Sequence, residues 1–166
     1  MDCTILAVDD EPANLRMLER LLRREYRVLT ATSGEEALEV LKREDVSLII
    51  TDQRMPGLTG IELLRESLRT NPNAMRMILT GYTDPDALIE AINTTRVYKF
   101  VSKPWDPVHL KQTIADAVHQ HRVAMEQKQL LEGLVSLVKN SPAIFSVGSM
   151  DTGASAADEV TVETVG

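Results

Sequence analysis

Leu48-Ile49-Ile50-Thr51-Asp52-Gln53-Arg54-Met55-Pro56-Gly57 is the stretch on which the reading of this chain turns. It opens with a short apolar run rich in β-branched residues, the composition of a strand buried on both faces. The run ends on a carboxylate, Asp52, and passes at once into Pro56-Gly57, a turn signal. One Asp is thus held at the carboxyl end of a central strand, facing the crevice where open α/β sheets bind their ligands. An isolated Asp before a turn is ordinarily a capping residue. The rest of the chain gives this one a different meaning.

Working outward, Thr4 to Val8 is an apolar run too short for a helix, stopped by Asp9-Asp10-Glu11-Pro12. Pro12 suits a first helical turn, and Leu15, Leu18, Leu21 and Leu22 recur at helical spacing through Arg24. Arg27 to Ala31 reads as a second strand. Ser33 with Glu36 forms the sequence pattern of a capping box, opening a helix with Ala37, Leu38 and Leu41 on its inner face. Val46 to Thr51 is the third strand, and Ile61, Leu64 and Leu68 mark a helix ended by Asn71-Pro72-Asn73. Met75 to Leu79 is a fourth strand, finishing at Thr80-Gly81. Asp84-Pro85 begins a helix carrying Ala87, Leu88, Ala91 and Ile92. Tyr98 to Val101 is the fifth strand, followed by Ser102-Lys103-Pro104-Trp105. Strands alternating with helices at this spacing predict an α/β fold, a doubly wound parallel sheet of five strands with helices on both faces.

From Pro107 to Lys139 the pattern is helical without interruption by Pro, about 50 Å if continuous. From Asn140 the composition shifts to Ser, Gly, Ala, Thr and Val with Asp151, Asp158, Glu159 and Glu163 and no Lys or Arg. The expected organisation is a domain over 1–122, a helical extension over 123–139 and a disordered acidic tail over 140–166.

The chain has 166 residues, 43% apolar, enough for one full core and an appendage. A net charge of −7 argues against direct binding to nucleic acid or to anionic membranes. Cys3 is the single cysteine, which excludes an internal disulfide and a Cys-based zinc site. It reads as a small core residue. No apolar run approaches the roughly 18 residues of a membrane span, and Met1-Asp2 leads directly into Thr4 to Val8 without a signal-peptide leader. The expectation is a soluble, cytoplasmic protein with no membrane partner.

Each strand that ends in the crevice ends on a reactive or polar side chain: Asp9 and Asp10, Asp52, Thr80, and Lys103. Three carboxylates at roughly 5 Å, with an effective dielectric near 20, repel by on the order of 10 kcal/mol. Such a cluster must bind a cation or protonate. All-oxygen ligands suit Mg²⁺, which prefers a site shared with phosphate. Lys103 offers a point charge to a phosphoryl oxygen and the Thr80 hydroxyl can donate to another. Metal, lysine and hydroxyl around one carboxylate make a site for phosphoryl transfer onto that carboxylate.

Asp9-Asp10, Asp52, Thr80-Gly81, Phe100 and Lys103-Pro104 together resemble the receiver domain of two-component response regulators, over about residues 3 to 122. The resemblance implies a flavodoxin-like strand order 2-1-3-4-5 and Asp52 as the acceptor of phosphate from a histidine kinase or phosphotransfer protein. It implies that Asp10 and Asp52 ligate Mg²⁺ directly with the backbone carbonyl of Arg54, and that Asp9 acts through water. Thr80 and Lys103 would hold the phosphoryl oxygens, the Lys103-Pro104 bond would be cis, and Phe100 would turn inward as Thr80 moves. Arg54 and Tyr82 match positions where the family varies and sets its dephosphorylation rate. Trp105 reads as a packing residue, and His109, His119 and His121 as solvated or packed residues of the long helix.

The output implied is a contact with a downstream protein target rather than catalysis on a small molecule. A regulatory piece of a longer protein, with an enzymatic or DNA-binding effector, is the alternative. A metal-dependent phosphatase would want Asp-x-Asp on one strand, but Gln53-Arg54 follows Asp52. A dinucleotide-binding fold would want Gly-x-Gly-x-x-Gly after the first strand, and none is there. Leu110, Ala117, Ala124, Leu131 and Val138 recur every seven residues, with Ile114 and Val135 four residues on, although His121 and Lys128 interrupt the second set. That repeat predicts a homodimer through the C-terminal helix as a coiled coil.

Overall fold

The computed structural model describes residues 3–81 and 85–141, with backbone only for Pro85, Ala87 and Leu88. The elements alternate from end to end: β1 Thr4–Val8, α1 Pro12–Leu22, β2 Arg27–Ala31, α2 Gly34–Arg43, β3 Leu48–Asp52, α3 Gly60–Thr70, β4 Met75–Thr80, α4 Pro85–Thr95, β5 Lys99–Ser102 and α5 Pro107–Lys139. The five strands form one parallel sheet, as the alternation predicts, in the order β2-β1-β3-β4-β5 that the family resemblance implies. The chain divides into two units after Val123. Asp84 and the residues beyond Ser141, including most of the expected acidic tail, lie outside the described residues.

Strand side chains alternate between two faces, and so the sheet builds two cores. Ile5, Ala7, Leu48, Ile50, Met77, Leu79 and Val101 pack against Leu15, Leu18 and Leu22 of α1 and Leu110, Ile114 and Ala117 of α5. Leu6, Val8, Ile49 and Ile78 face Ala37 and Leu41 of α2, Ile61, Leu63 and Leu64 of α3, and Ala91 of α4. β1 and β3 are buried along almost their whole length, which is why they read as unbroken apolar runs.

Some expected details differ. Ser33 caps α2 by accepting from the Glu36 N–H, but the Glu36 carboxylate turns back to the Thr32 N–H and hydroxyl rather than to Ser33, so the box is half formed. The full capping box is at Thr59 and Glu62, opening α3. Leu68 is only half-buried, and Leu63 and Ser67 take the inner face of α3 with Leu64. Ile92, expected with the apolar set of α4, is 61% exposed. Helix α1 stops at Leu22 rather than Arg24, where the Arg23 N–H closes onto the Glu19 carbonyl and the Tyr26 N–H onto the Leu22 carbonyl.

Candidate functional site

β1, β3, β4 and β5 all run in one direction, so their carboxyl ends deliver side chains to the same edge of the sheet. Asp9 follows the last residue of β1, Asp52 closes β3, Thr80 closes β4, and Lys103 follows β5. Each of Asp9, Asp10 and Asp52 offers a carboxylate oxygen within 4.8 Å of the others. The three differ in setting: Asp9 is 3% exposed, Asp52 is half-buried and Asp10 is exposed.

Asp9 is fully engaged from within the chain. Its Oδ1 accepts the Glu11 N–H at 2.9 Å, and its Oδ2 accepts from Asn14 Nδ2 at 3.1 Å and from Lys103 Nζ at 3.1 Å. Asp52 accepts the Gln53 N–H on Oδ1 at 2.8 Å and lies 3.3 Å from Lys103 Nζ through Oδ2. One ammonium therefore bridges two carboxylates and offsets part of the repulsion that the sequence alone implies. The Lys103 N–H donates to the Thr80 carbonyl at 2.9 Å, and the Lys103-Pro104 bond is cis, as expected.

Burial raises the Asp52 carboxyl above the usual carboxylate range, and the neighbouring Asp9 adds to the shift, while Lys103 and the Gln53 N–H pull it back. Burial works against the charge on Lys103, but its hydrogen bond to Asp9 and the charges of Asp9 and Asp52 outweigh that and hold the ammonium above its ordinary value. The cluster is thus built to keep its lysine charged.

The loop after Asp52 is fixed at three points. Gln53 Oε1 accepts the Ile61 N–H at 2.9 Å and the Gln53 carbonyl accepts from Gly60, tying the site to the start of α3. A side chain at Gly60 would place its Cβ 2.3 Å from the Asp52 carbonyl, so only glycine lets α3 begin this close to the site. Gly57 turns with φ +79°, and Glu35 of α2 accepts the following Leu58 N–H at 3.1 Å. Met55, unremarked in the sequence, is buried and anchors this loop in the second core.

Above Asp52 opens a cavity of about 620 Å³ lined by Asp10, Glu11, Asn14 and Met17, by Asp52 and Arg54, and by Lys103, Pro104 and Trp105. Arg54 is exposed on its wall. Trp105 is half-buried against the first core, and its ring centroid lies 5.9 Å from Lys103 Nζ, so its packing role carries a cation–π contact. Phe100 packs half-buried against the second core, opposite Ile78 in the β4–β5 register. Tyr82 lies outside the described residues. Cys3 is half-buried against the first core; His109 and His119 are exposed, and His121 is half-buried. Glu11, Asn14, Met17 and Gln53 are residues of the site that sequence reasoning missed. The available signal was Asn14 one helical turn into α1, five residues after Asp9.

A parallel sheet with two engaged carboxylates, a third exposed beside them and a bridging lysine defines a receiver-type α/β domain. The model of the response regulator receiver domain matches residues 5–115. The chain belongs to that family. It is 42% identical over 130 residues to the hydrogenase transcriptional regulatory protein HoxA of Cupriavidus necator, covering 74% of this chain and 27% of HoxA. The chain therefore spans about a quarter of the length of that relative. Among solved structures, one titled as an adenylate cyclase from Rhodopirellula baltica superposes with a TM-score of 0.75 at 33% identity, over 80% of this chain and 98% of that one. A CheY-like receiver domain protein from Methanospirillum hungatei gives a TM-score of 0.72 at 25% identity, over 75% and 99%.

Proposed function

We propose that Asp52 is the phosphoacceptor of this receiver domain, and that its phosphorylation switches a protein contact. The observation that carries this is the Lys103 ammonium bridging Asp9 and Asp52 at 3.1 and 3.3 Å beside an open cavity. In the transfer, a carboxylate oxygen of Asp52 forms a bond to phosphorus and the P–N bond of a phosphohistidine breaks, the electron pair returning to the imidazole. The product is an acyl phosphate. Lys103, already beside Asp52, then pairs with a phosphoryl oxygen, and the Thr80 hydroxyl from the next strand donates to another. Phe100, half-buried on the strand beside Thr80, would turn inward as Thr80 moves.

Hard oxygen donors of this number and spacing fit Mg²⁺. Asp10, Asp52 and the Arg54 carbonyl would hold it directly, and Asp9, whose oxygens are occupied by internal donors, would act through water. Bound Mg²⁺ would supply charge neutralisation for the incoming phosphoryl group. Arg54 lines the cavity wall, which supports a role in tuning access of water to the acyl phosphate, and Tyr82 is assigned the same task from its sequence position.

The chemistry is the domain's own phosphorylation and dephosphorylation, not turnover of a released substrate. The partners are a histidine kinase or phosphotransfer protein and a downstream protein target in the cytoplasm. The net charge of −7 disfavours direct nucleic-acid or membrane binding by these residues, and no helix among the described residues is long and apolar enough to cross a membrane. The 27% share of HoxA covered by the match favours a second reading, a regulatory segment acting on a larger effector, with the same site chemistry. Receiver domain, helical extension and acidic tail remain the proposed division of labour, with the extension self-associating as a coiled coil.

Incubation with a small acyl or amido phosphate and Mg²⁺, followed by intact-mass analysis, tests the assignment. One added phosphoryl group is expected, absent without Mg²⁺ and absent in Asp52→Asn. Equal labelling of that variant would overturn the choice of Asp52.

A further inference from the structure

The second half of α5 carries an apolar surface too wide for the two-stranded pairing that the seven-residue repeat predicts. Leu130, Leu131, Leu134, Val135, Leu137 and Val138 are 43 to 70% exposed. At about 100° per residue they cover an arc of about 160°, with Glu132, Gly133, Ser136 and Lys139 on the remainder. A two-stranded seam occupies a narrower stripe.

The arc resolves into two seams, each with alternating steps of four and three residues. One is Ala124, Lys128, Leu131, Val135 and Val138. The other is Gln127, Leu130, Leu134 and Leu137. From Gln127 and Lys128 onward each residue of one seam neighbours its counterpart in the other along the chain, so the seams lie about 100° apart around the helix axis. In a square four-helix bundle each helix has two neighbours whose directions differ by about 90°. We infer that residues 124–139 assemble as a four-helix bundle of four copies of this chain, each helix giving one seam to each neighbour. The inference rests on the reading of this segment as self-associating and fixes the number of helices.

Area and charge both favour four copies. Burying the three large apolar side chains of one seam removes roughly 300 Å² per helix, or about 600 Å² for a pair, below the roughly 1,000 Å² that a specific interface clears. Covering both seams doubles the area buried per helix to about 600 Å², so each copy is held from two sides instead of one. A pair joined by the valine seam would leave Leu130, Leu134 and Leu137 in water at 70, 58 and 65% exposure. Residues 124–139 balance Lys128 and Lys139 against Glu126 and Glu132, so copies of this segment meet without net repulsion although the chain carries −7. A strongly acidic or basic partner helix would find no complementary field there.

Sedimentation equilibrium of residues 1–166 at tens of micromolar, with and without acyl phosphate and Mg²⁺, tests the assembly. Four times the monomer mass is expected. The variant Leu130→Ser/Leu134→Ser/Leu137→Ser, which changes only exposed positions, should lose the tetramer while its phosphorylation by acyl phosphate stays that of the parent. A dimeric parent would overturn the bundle and keep the two-stranded pairing. A monomeric parent would overturn both and assign the face to a different protein. A tetramer that persists in the triple variant would show that another surface assembles the chain.

Discussion

The two ends of the sheet bury charge in opposite ways. At the carboxyl end, Lys103 bridges two carboxylates beside an open cavity, and no member of the group is held by fixed partners alone. At the amino end, Arg76 of β4 is 2% exposed, and among the described residues no carboxylate pairs with it. Its guanidinium donates to Ser67 Oγ at 3.0 Å, to the Asn71 carbonyl at 2.6 Å and to the Ala74 carbonyl, all fixed groups around the end of α3. Asn71 extends the same knot, accepting the Val46 N–H and donating to the Leu41 carbonyl. One end can exchange partners because they are side chains of the same sign competing for one cation. The other end has nothing to exchange.

The strongest test of that contrast removes the fixed charge. Arg76→Met should cost roughly 2–4 kcal/mol, because it leaves buried carbonyls and a hydroxyl without donors, while the protein that remains folded still takes up phosphate. Denaturant unfolding together with intact-mass analysis checks both halves. Loss of phosphorylation at unchanged stability would erase the distinction between the ends.

A smaller effect is expected at the exchangeable end. Lys103→Ala takes a positive charge away from the Asp cluster, so Mg²⁺ affinity should rise, on the order of tenfold, as phosphoryl transfer falls. Titration calorimetry would measure the first. Weaker Mg²⁺ binding in this variant would mean that Lys103 organises the carboxylates more than it competes for them.

The smallest effect separates the ends by pH. The Asp52 carboxyl is raised above 3.8 in the fold, first by burial. Its contribution to metal-free stability is therefore fully present below 3.8 and is lost as pH rises through the raised value, so stability should decline slightly over that window. Asp52→Asn should flatten the decline. Arg76, lowered by burial and by Arg96 to about 10, should leave the acid limb untouched, so that Arg76→Met runs parallel to the parent there. A change of slope in Arg76→Met at acid pH would show that the two ends are coupled.

The individual strand ends could be read from the chain because their pattern is local. Short apolar runs stop at Asp9, Asp52, Thr80 and Lys103, and parallel strands buried on both faces must be nearly continuous in hydrophobicity. The strand order and the cis Lys103-Pro104 bond came from the family resemblance rather than from periodicity. Glu36 was misassigned, because a carboxylate one turn into a helix can reach either of two N–H groups and only the packed backbone selects between them.

The sequence by itself determined which side chains stand at the strand ends and that a long helix follows the sheet. The tertiary structure decided who meets whom. Arg76, an unremarkable strand residue in the sequence, becomes the buried anchor of α3 through contacts only 2 to 9 residues away, because the turn after α3 folds its carbonyls back over β4. Lys103 and Asp9 are 94 residues apart and touch because β1 and β5, separated in the sheet by β3 and β4, run parallel and end at the same edge. Contacts of that range depend on the packing of all the helices at once, and no window of sequence contains them.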